Sequence, residues 1–288
     1  MKRTIRLFAL IMISAICASR AYAEKHIVYS MGDFTDGAQT FLCADRVNVR
    51  SAPSLKGSEV IANLPYGHAI RIVKKSVERL SQNGFTANWY QIQFKEKGAQ
   101  KTGYAWGGFF SYAHGVAKID STQVLFVSGL KHRGSDGRYF AEIAALSGGR
   151  TISRIVYAPI YTDVSGTGEF GYSVYGTMHD GRKLSGVKGI IELKFEYPAC
   201  AYANGSMFFV FDGKRLIEAC SAVTVSEAGV FHMGTVCLFP NQKGGRPDRI
   251  VCTRKDEDFD EEKKEYVLKG TTVTVYRWDG TRFFEEKK

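Results

Sequence analysis

The stretch Met207-Phe208-Phe209-Val210-Phe211, followed at once by Asp212-Gly213, carries the reading of the whole chain. Its β-branched and aromatic residues read as a period-two strand, and the Asp-Gly pair that ends it accepts the positive φ of a tight hairpin turn. The pattern returns at Thr272-Val273-Thr274-Val275-Tyr276, which runs on to Asp279-Gly280. Period-two alternation is equally clear in Val47-Asn48-Val49-Arg50 and Tyr90-Gln91-Ile92-Gln93-Phe94. Helical periodicity is hard to find, and the 30 glycines fall largely between the apolar runs. The expected fold class is therefore all-β. Phe209–Leu216 and Tyr276–Phe283 resemble each other, each being an aromatic strand, an Asp-Gly turn and an apolar return. Two copies are too few for a repeat architecture, and shared hairpin chemistry accounts for the likeness.

The first residues have a different character. Lys2, Arg3 and Arg6 precede the apolar run Leu7 to Ile16, and Ala21-Tyr22-Ala23 offers a small-x-small cleavage pattern. Together these predict a signal peptide over residues 1–23 and an exported protein beginning at Glu24. The apolar run is about half the roughly 20 residues that a membrane helix needs, and no later run approaches that length, so no transmembrane segment is expected. A lipoprotein reading through Cys17 is disfavoured by Ile16 just before it. Removing residues 1–23 takes away four basic residues and no acid, so the formal charge falls from +10 to +6. A moderately basic surface of this kind suits anionic wall polymers or lipid headgroups as partners. With no Lys/Arg cluster longer than two, a nucleic-acid partner is not expected.

Five cysteines follow the cleavage point, and four of them (Cys200, Cys220, Cys237 and Cys252) lie in the C-terminal 90 residues. An exported protein favours disulfides. Cys237 and Cys252 sit on consecutive strand-like runs and are expected to face each other across a hairpin; Cys200 with Cys220 is the remaining pairing, leaving Cys43 odd. Four cysteines allow three arrangements, so connectivity stays open. No C-x-x-C spacing exists, which argues against a structural zinc site or a thioredoxin-like centre.

A boundary is expected near residues 112–120, where Tyr112-Ala113-His114-Gly115 separates a run of short strands from a new pattern at Val124 to Val127. The N-terminal unit resembles the bacterial Src-homology-3 (SH3) domain. Its marks stand in order: Val47-Asn48-Val49-Arg50-Ser51-Ala52-Pro53, Leu64-Pro65-Tyr66-Gly67, Trp89-Tyr90-Gln91-Ile92, and Gly103-Tyr104-Ala105-Trp106 followed by Phe109-Phe110-Ser111. Val47 replaces the usual Leu, and Leu80 to Asn88 reads as an extended loop. The expected organisation is a lead segment over 24–39, an SH3-like barrel over 40–116 and a larger antiparallel β-rich domain over 117–288. The resemblance implies a binding or targeting unit, often for cell-wall peptide or peptidoglycan, without catalysis of its own. Tyr66, Trp89, Tyr90 and Trp106 are the candidate ligand contacts, because amphipathic aromatics give large contact area. A barrel of about 70 residues also needs such side chains for its core. Arg50 is expected to form a structural pair or to donate to loop carbonyls rather than to clamp a ligand.

The C-terminal unit has no G-x-S-x-G elbow, phosphate loop, dinucleotide fingerprint or metal-type histidine spacing at His132, His179 or His232. Ser226, Glu227 and His232 are close in sequence, yet alternation puts Ser226 and His232 on one strand face and Glu227 on the other. Two acidic loops, Asp163–Glu169 and Asp256–Glu262, fall short of a calcium site: the first has only two carboxylates, the second lacks the bending Gly. No metal or cofactor is expected. The sequence thus points to a non-catalytic binding protein of the cell envelope, periplasmic or extracellular. Alternatives are an envelope hydrolase with its site in residues 120–288, or an assembly protein contacting other envelope proteins.

Overall fold

The computed structural model describes residues 33–160 and 171–286. The expected signal peptide, Cys17 and the Asp163–Glu169 loop lie outside the described residues.

Six strands open the fold: β1 (Gln39–Phe41), β2 (Arg46–Arg50), β3 (Val60–Pro65), β4 (Ala69–Gln82), β5 (Phe85–Glu96) and β6 (Ala99–Trp106). They make one antiparallel sheet in the order β1-β4-β5-β6-β2-β3, curled into a half-barrel. Alternate residues of each strand point inward, so Val47, Val49, Leu64, Ile70, Ile72, Tyr90, Ile92 and Phe94 gather in one core. The segment before β1 joins it through Phe34, whose ring meets Tyr90 and Phe110 edge-on. Arg50 donates to the Ser58 carbonyl at 3.1 Å and so ties down the β2–β3 loop.

The extended loop expected over Leu80 to Asn88 is instead a continuation of the β4–β5 hairpin. Its turn is Asn83-Gly84, with φ of 57° and 81°, the left-handed pair that favours Asn-Gly. Burial of Phe85, Ala87 and Trp89 on alternate positions drives the extension, because these side chains reach past the half-barrel into the next layer. A Cβ at Gly84 would lie 2.8 Å from the Arg133 carbonyl oxygen, so glycine is required by close approach as well as by φ.

A 3-10 turn at Gly107–Phe109 leads into β7 (Ser111–Ile119), β8 (Thr122–Arg133), β9 (Tyr139–Ser147) and β10 (Arg150–Tyr157), a sheet ordered β10-β9-β8-β7. The division expected after residue 116 falls within β7. The remaining strands are β11 (Ser173–His179), β12 (Gly189–Glu196), β13 (Asn204–Phe211), β14 (Leu216–Glu227), β15 (Phe231–Leu238), β16 (Arg249–Asp260), β17 (Glu265–Trp278) and β18 (Phe283–Glu285). They follow one another in a single antiparallel meander.

One core joins all three sheets. Phe85, Trp89 and Trp106 from the half-barrel, Tyr112, Phe126 and Ile143 from the middle sheet, and Ile191, Phe209 and Phe211 from the meander pack together. On the opposite face of the meander, Phe208 and Val210 join Ile190, Phe239, Ile250 and Trp278 in a second cluster. Strand β13 is thus covered on both faces, which explains why its sequence is a continuous apolar run rather than an alternation. The two Asp-Gly turns share their chemistry: Asp212 accepts from the Lys214 and Arg215 amides, and Asp279 from the Thr281 and Arg282 amides.

The meander changes character along its length. Beyond Cys237 and Cys252, none of the clusters of buried apolar residues among the described residues reaches the outer parts of β14 to β17. Val236 is 71 % exposed and Leu268 52 %. The result is a four-stranded ribbon, held by ladder hydrogen bonds, that projects without a core.

Candidate functional site

The four aromatic side chains expected to meet a ligand are inside the protein. Tyr66, Trp89, Tyr90 and Trp106 keep only 6 %, 4 %, 0 % and 1 % of their surface. Trp106 donates its indole N–H to the Leu80 and Ala87 carbonyls and stacks on Phe85. Tyr90 accepts from the Phe34 amide at 3.3 Å, and burial raises its phenol above the ordinary value. Their burial has a simple cause: a small sheet that must also dock on a second one consumes its aromatics in packing.

The polar groups at the joint between half-barrel and middle sheet are also committed. Glu142, on β9, is buried and pairs with Lys131; Arg154 lies 3.7 Å from Glu142 and 2.9 Å from Asp45, with its guanidinium over the Tyr66 ring. The hydroxyls of Tyr112, Tyr157 and Ser128 bond to one another, the first two at 2.5 Å. Burial pushes the nearby Cys43 thiol up to about 12, so it is not a thiolate nucleophile at neutral pH. Arg154 ties the middle sheet to the half-barrel through Asp45 and Tyr66, while the hydroxyl cluster braces strands within the middle sheet.

The sequence neighbours Ser226, Glu227 and His232 separate as alternation requires. Ser226 and His232 are register partners, and the carboxylate opposite His232 is Glu257 rather than Glu227. Ser226 is exposed, and the row lies on the bare ribbon. A tighter group occurs at Glu192, which accepts from Ser206 at 2.6 Å and contacts His179 at 2.7 Å and Arg182 at 3.8 Å. Burial alone would raise this carboxyl, but the hydrogen bonds and charges outweigh it and hold it below the ordinary value. The carboxylate stands between hydroxyl and imidazole, so the imidazole cannot take the serine proton as a nucleophilic triad requires. At the acidic hairpin tip, Asp260 accepts from the Glu262 and Lys263 amides and so serves the turn.

Of the cysteines, Cys237 and Cys252 are register partners joined by a disulfide, with Cα atoms 4.0 Å apart. The Cys200–Cys220 pairing does not form: both are free, Cys200 exposed and Cys220 buried. Backbone pairing keeps them apart. The Ala201 amide bonds to the Ser226 carbonyl, which sets that turn six residues along β14 from Cys220, about 20 Å at the usual strand rise.

An open groove of about 970 Å³ runs along the outer face of the half-barrel, walled on one side by β7. Register builds its floor. Gln39 on β1 faces Arg71 on β4, and Arg71 faces Gln93 on β5, giving one transverse row of amide, guanidinium and amide. Phe41 faces Ala69, and Lys95 faces Gln100, so an apolar step and a second cation flank the row. His68 enters from the turn before β4, and His114 from β7, its ring 4.9 Å edge-on from Phe41. Thr40 fixes the wall by donating to the Ser111 carbonyl at 2.6 Å. The titratable side chains lining the groove are His68, Arg71, Lys95 and His114; no carboxylate is among them. Glu96, next along β5, is already held by Lys101 at 2.6 Å. Arg71 and Lys95 make no ion pair among the described residues.

Residues 45–111 match the family model for the bacterial SH3 domain. This segment is a bacterial SH3 domain. The groove is therefore built largely on an SH3 domain, with Gln39, Thr40 and Phe41 before it and His114 to Val116 after it added as a rim. No curated protein and no solved structure matches the chain. The aromatic marks of the sequence point to the SH3 domain but not to the groove, whose residues are the polar positions between them. The signal was present in Arg71, Gln93 and Lys95, which occupy the outward places of alternating strands.

Proposed function

We propose that the protein is exported and acts as a non-catalytic binding protein of the cell envelope, with the groove on its SH3 domain taking an acidic peptide of the cell wall. The observation that carries this reading is the groove, lined by no carboxylate among the described residues, in which Arg71 and Lys95 stand without ion-pair partners among those residues, beside Gln39 and Gln93. Carboxylates of a wall peptide would meet a guanidinium able to bind them through two parallel hydrogen bonds, and the amide side chains suit its peptide bonds. A mature charge of +6 favours approach to anionic wall polymer.

The test is cosedimentation of the full chain, from residue 24 onward, with purified peptidoglycan. Arg71→Glu should reduce the bound fraction at least ten-fold, and Lys95→Glu should reduce it less. Equal binding by wild type and both variants would sink the groove. Binding by the wild type that vanishes for any variant of lowered net charge, including Lys269→Glu on the distant ribbon, would mean that general charge and not the groove is responsible.

A further inference from the structure

On the face of the meander away from the half-barrel, three cysteines from three neighbouring strands come together. Cys220 lies on β14, Cys237 on β15 and Cys252 on β16, and their sulphur atoms all lie within 4.8 Å of one another. Cys220 and Cys252 are buried with Phe208, Phe239, Ile250 and Trp278, while Cys237 is partly accessible. With the bridge closed, two sulphurs are shared in one bond and Cys220 is a thiol whose ionisation burial pushes up to about 12. The Arg182 guanidinium sits 4.3 Å above the Phe239 ring, and its charge favours the ionised form of Cys220.

We propose that opening the Cys237–Cys252 bridge turns this cluster into a three-thiolate site for a soft, thiophilic metal ion of the Cu(I) type. The opening step needs a dithiol. The Cys237–Cys252 S–S bond breaks, each sulphur gains a hydrogen, and the dithiol loses two hydrogens as it closes to its own disulfide. On metal binding the three S–H protons pass to solvent as three sulphur–metal bonds form. Thiolate–metal bonds of about 2.3 Å around a trigonal ion place the sulphurs about 4 Å apart, so the cluster closes with small side-chain movements. Ligand chemistry selects the ion class. Thiolates prefer soft metals, and the cluster offers no fourth His, Asp, Glu or Cys among the described residues, which suits an ion content with three ligands better than one that demands a tetrahedron. Arg182 offsets part of the negative charge in an otherwise apolar wall.

The experiment uses the full chain, reduced with excess dithiol, desalted without oxygen, and titrated with Cu(I) supplied on a chromogenic chelator. The reduced protein should withdraw one Cu(I) per chain and develop a sulphur-to-copper charge-transfer band, whereas the oxidised protein should withdraw none. Cys220→Ser should weaken uptake at least ten-fold, and Cys43→Ser and Cys200→Ser should leave it unchanged. No uptake by the reduced wild type, or equal uptake by Cys220→Ser, would overturn the proposal. Should Cys220→Ser fail to fold by circular dichroism, alkylation of the wild type decides. Bound Cu(I) must slow labelling of Cys220, Cys237 and Cys252 together while Cys200 labels at its usual rate; labelling of the three at an unchanged rate overturns the site.

Discussion

The two ends of this protein use the same strand pattern for opposite purposes. In the half-barrel, alternation sends one side of each strand into a core and leaves the other to line a groove. The outer ribbon of β14 to β17 is also paired strand, with one bulge at Asp256/Glu257, yet none of the buried apolar clusters among the described residues covers either side. Period two therefore reports that a strand has two faces; what lies over each face is decided by side-chain size. Phe85, Trp89 and Trp106 are large enough to hold a neighbouring sheet, while Thr271, Thr272, Val273 and Thr274 hold only their ladder partners.

The contrast is tested most severely at Trp106. Trp106→Ala removes a buried indole that bonds two carbonyls, and it should lower unfolding free energy by about 3–5 kcal/mol in denaturant melts. An effect under about 1 kcal/mol would mean that the sheets are not joined through this residue. Breaking Cys237–Cys252, which closes a sequence separation of 15, should cost up to about 3 kcal/mol, seen as a lower melting temperature under reduction.

Two glycines sharpen the comparison at intermediate scale. Gly84 has φ of +81° and an Arg133 carbonyl 2.8 Å from any added Cβ, so Gly84→Ala should destabilise by more than about 1 kcal/mol. Gly270, on the ribbon, would meet only the Asp256 carboxylate at 3.9 Å, and Gly270→Ala should be neutral or mildly stabilising in the same melts.

Acid supplies a smaller effect confined to the covered part of the meander. Glu192 is held below its ordinary 4.5 by its hydrogen bonds and charges, in net excess over burial. Its contribution is complete above that value and is lost as pH falls through the lower folded pKa. Glu192→Gln should accordingly flatten the fall in stability below about pH 4.5, and an unchanged acid limb would remove the carboxylate from the account. Least of all should Leu268→Ala matter: truncating a half-exposed side chain on the bare ribbon should shift stability by no more than about 0.5 kcal/mol.

Local chemistry was readable from the chain; what depends on distant neighbours was not. The all-β class, the two Asp-Gly turns, the facing cysteines and the SH3 marks all rest on residues within one hairpin or one short motif. Asn83-Gly84 is equally local, but the polar residues around it, Ser81 and Gln82, give the segment the look of a loop. Tyr90 is buried in the half-barrel's own core, while the burial of Tyr66, Trp89 and Trp106 depends on cores shared with the sheets beyond it, and no strand carries that information alone. The groove was hidden for the same reason: Gln39, Arg71 and Gln93 stand 32 and 22 residues apart in sequence and meet only through register.

The position of the disulfide in the meander has a consequence for motion. It lies at the row where the covered sheet gives way to the ribbon. Strand separation that starts at the hairpin tips can travel inward row by row, since each step breaks ladder bonds without exposing a core. At Cys237–Cys252 it meets a covalent stop. Amide protons on β15 and β16 should thus fall into two kinetic classes under hydrogen exchange: those beyond the rivet released by local opening, those behind it only when the whole molecule unfolds.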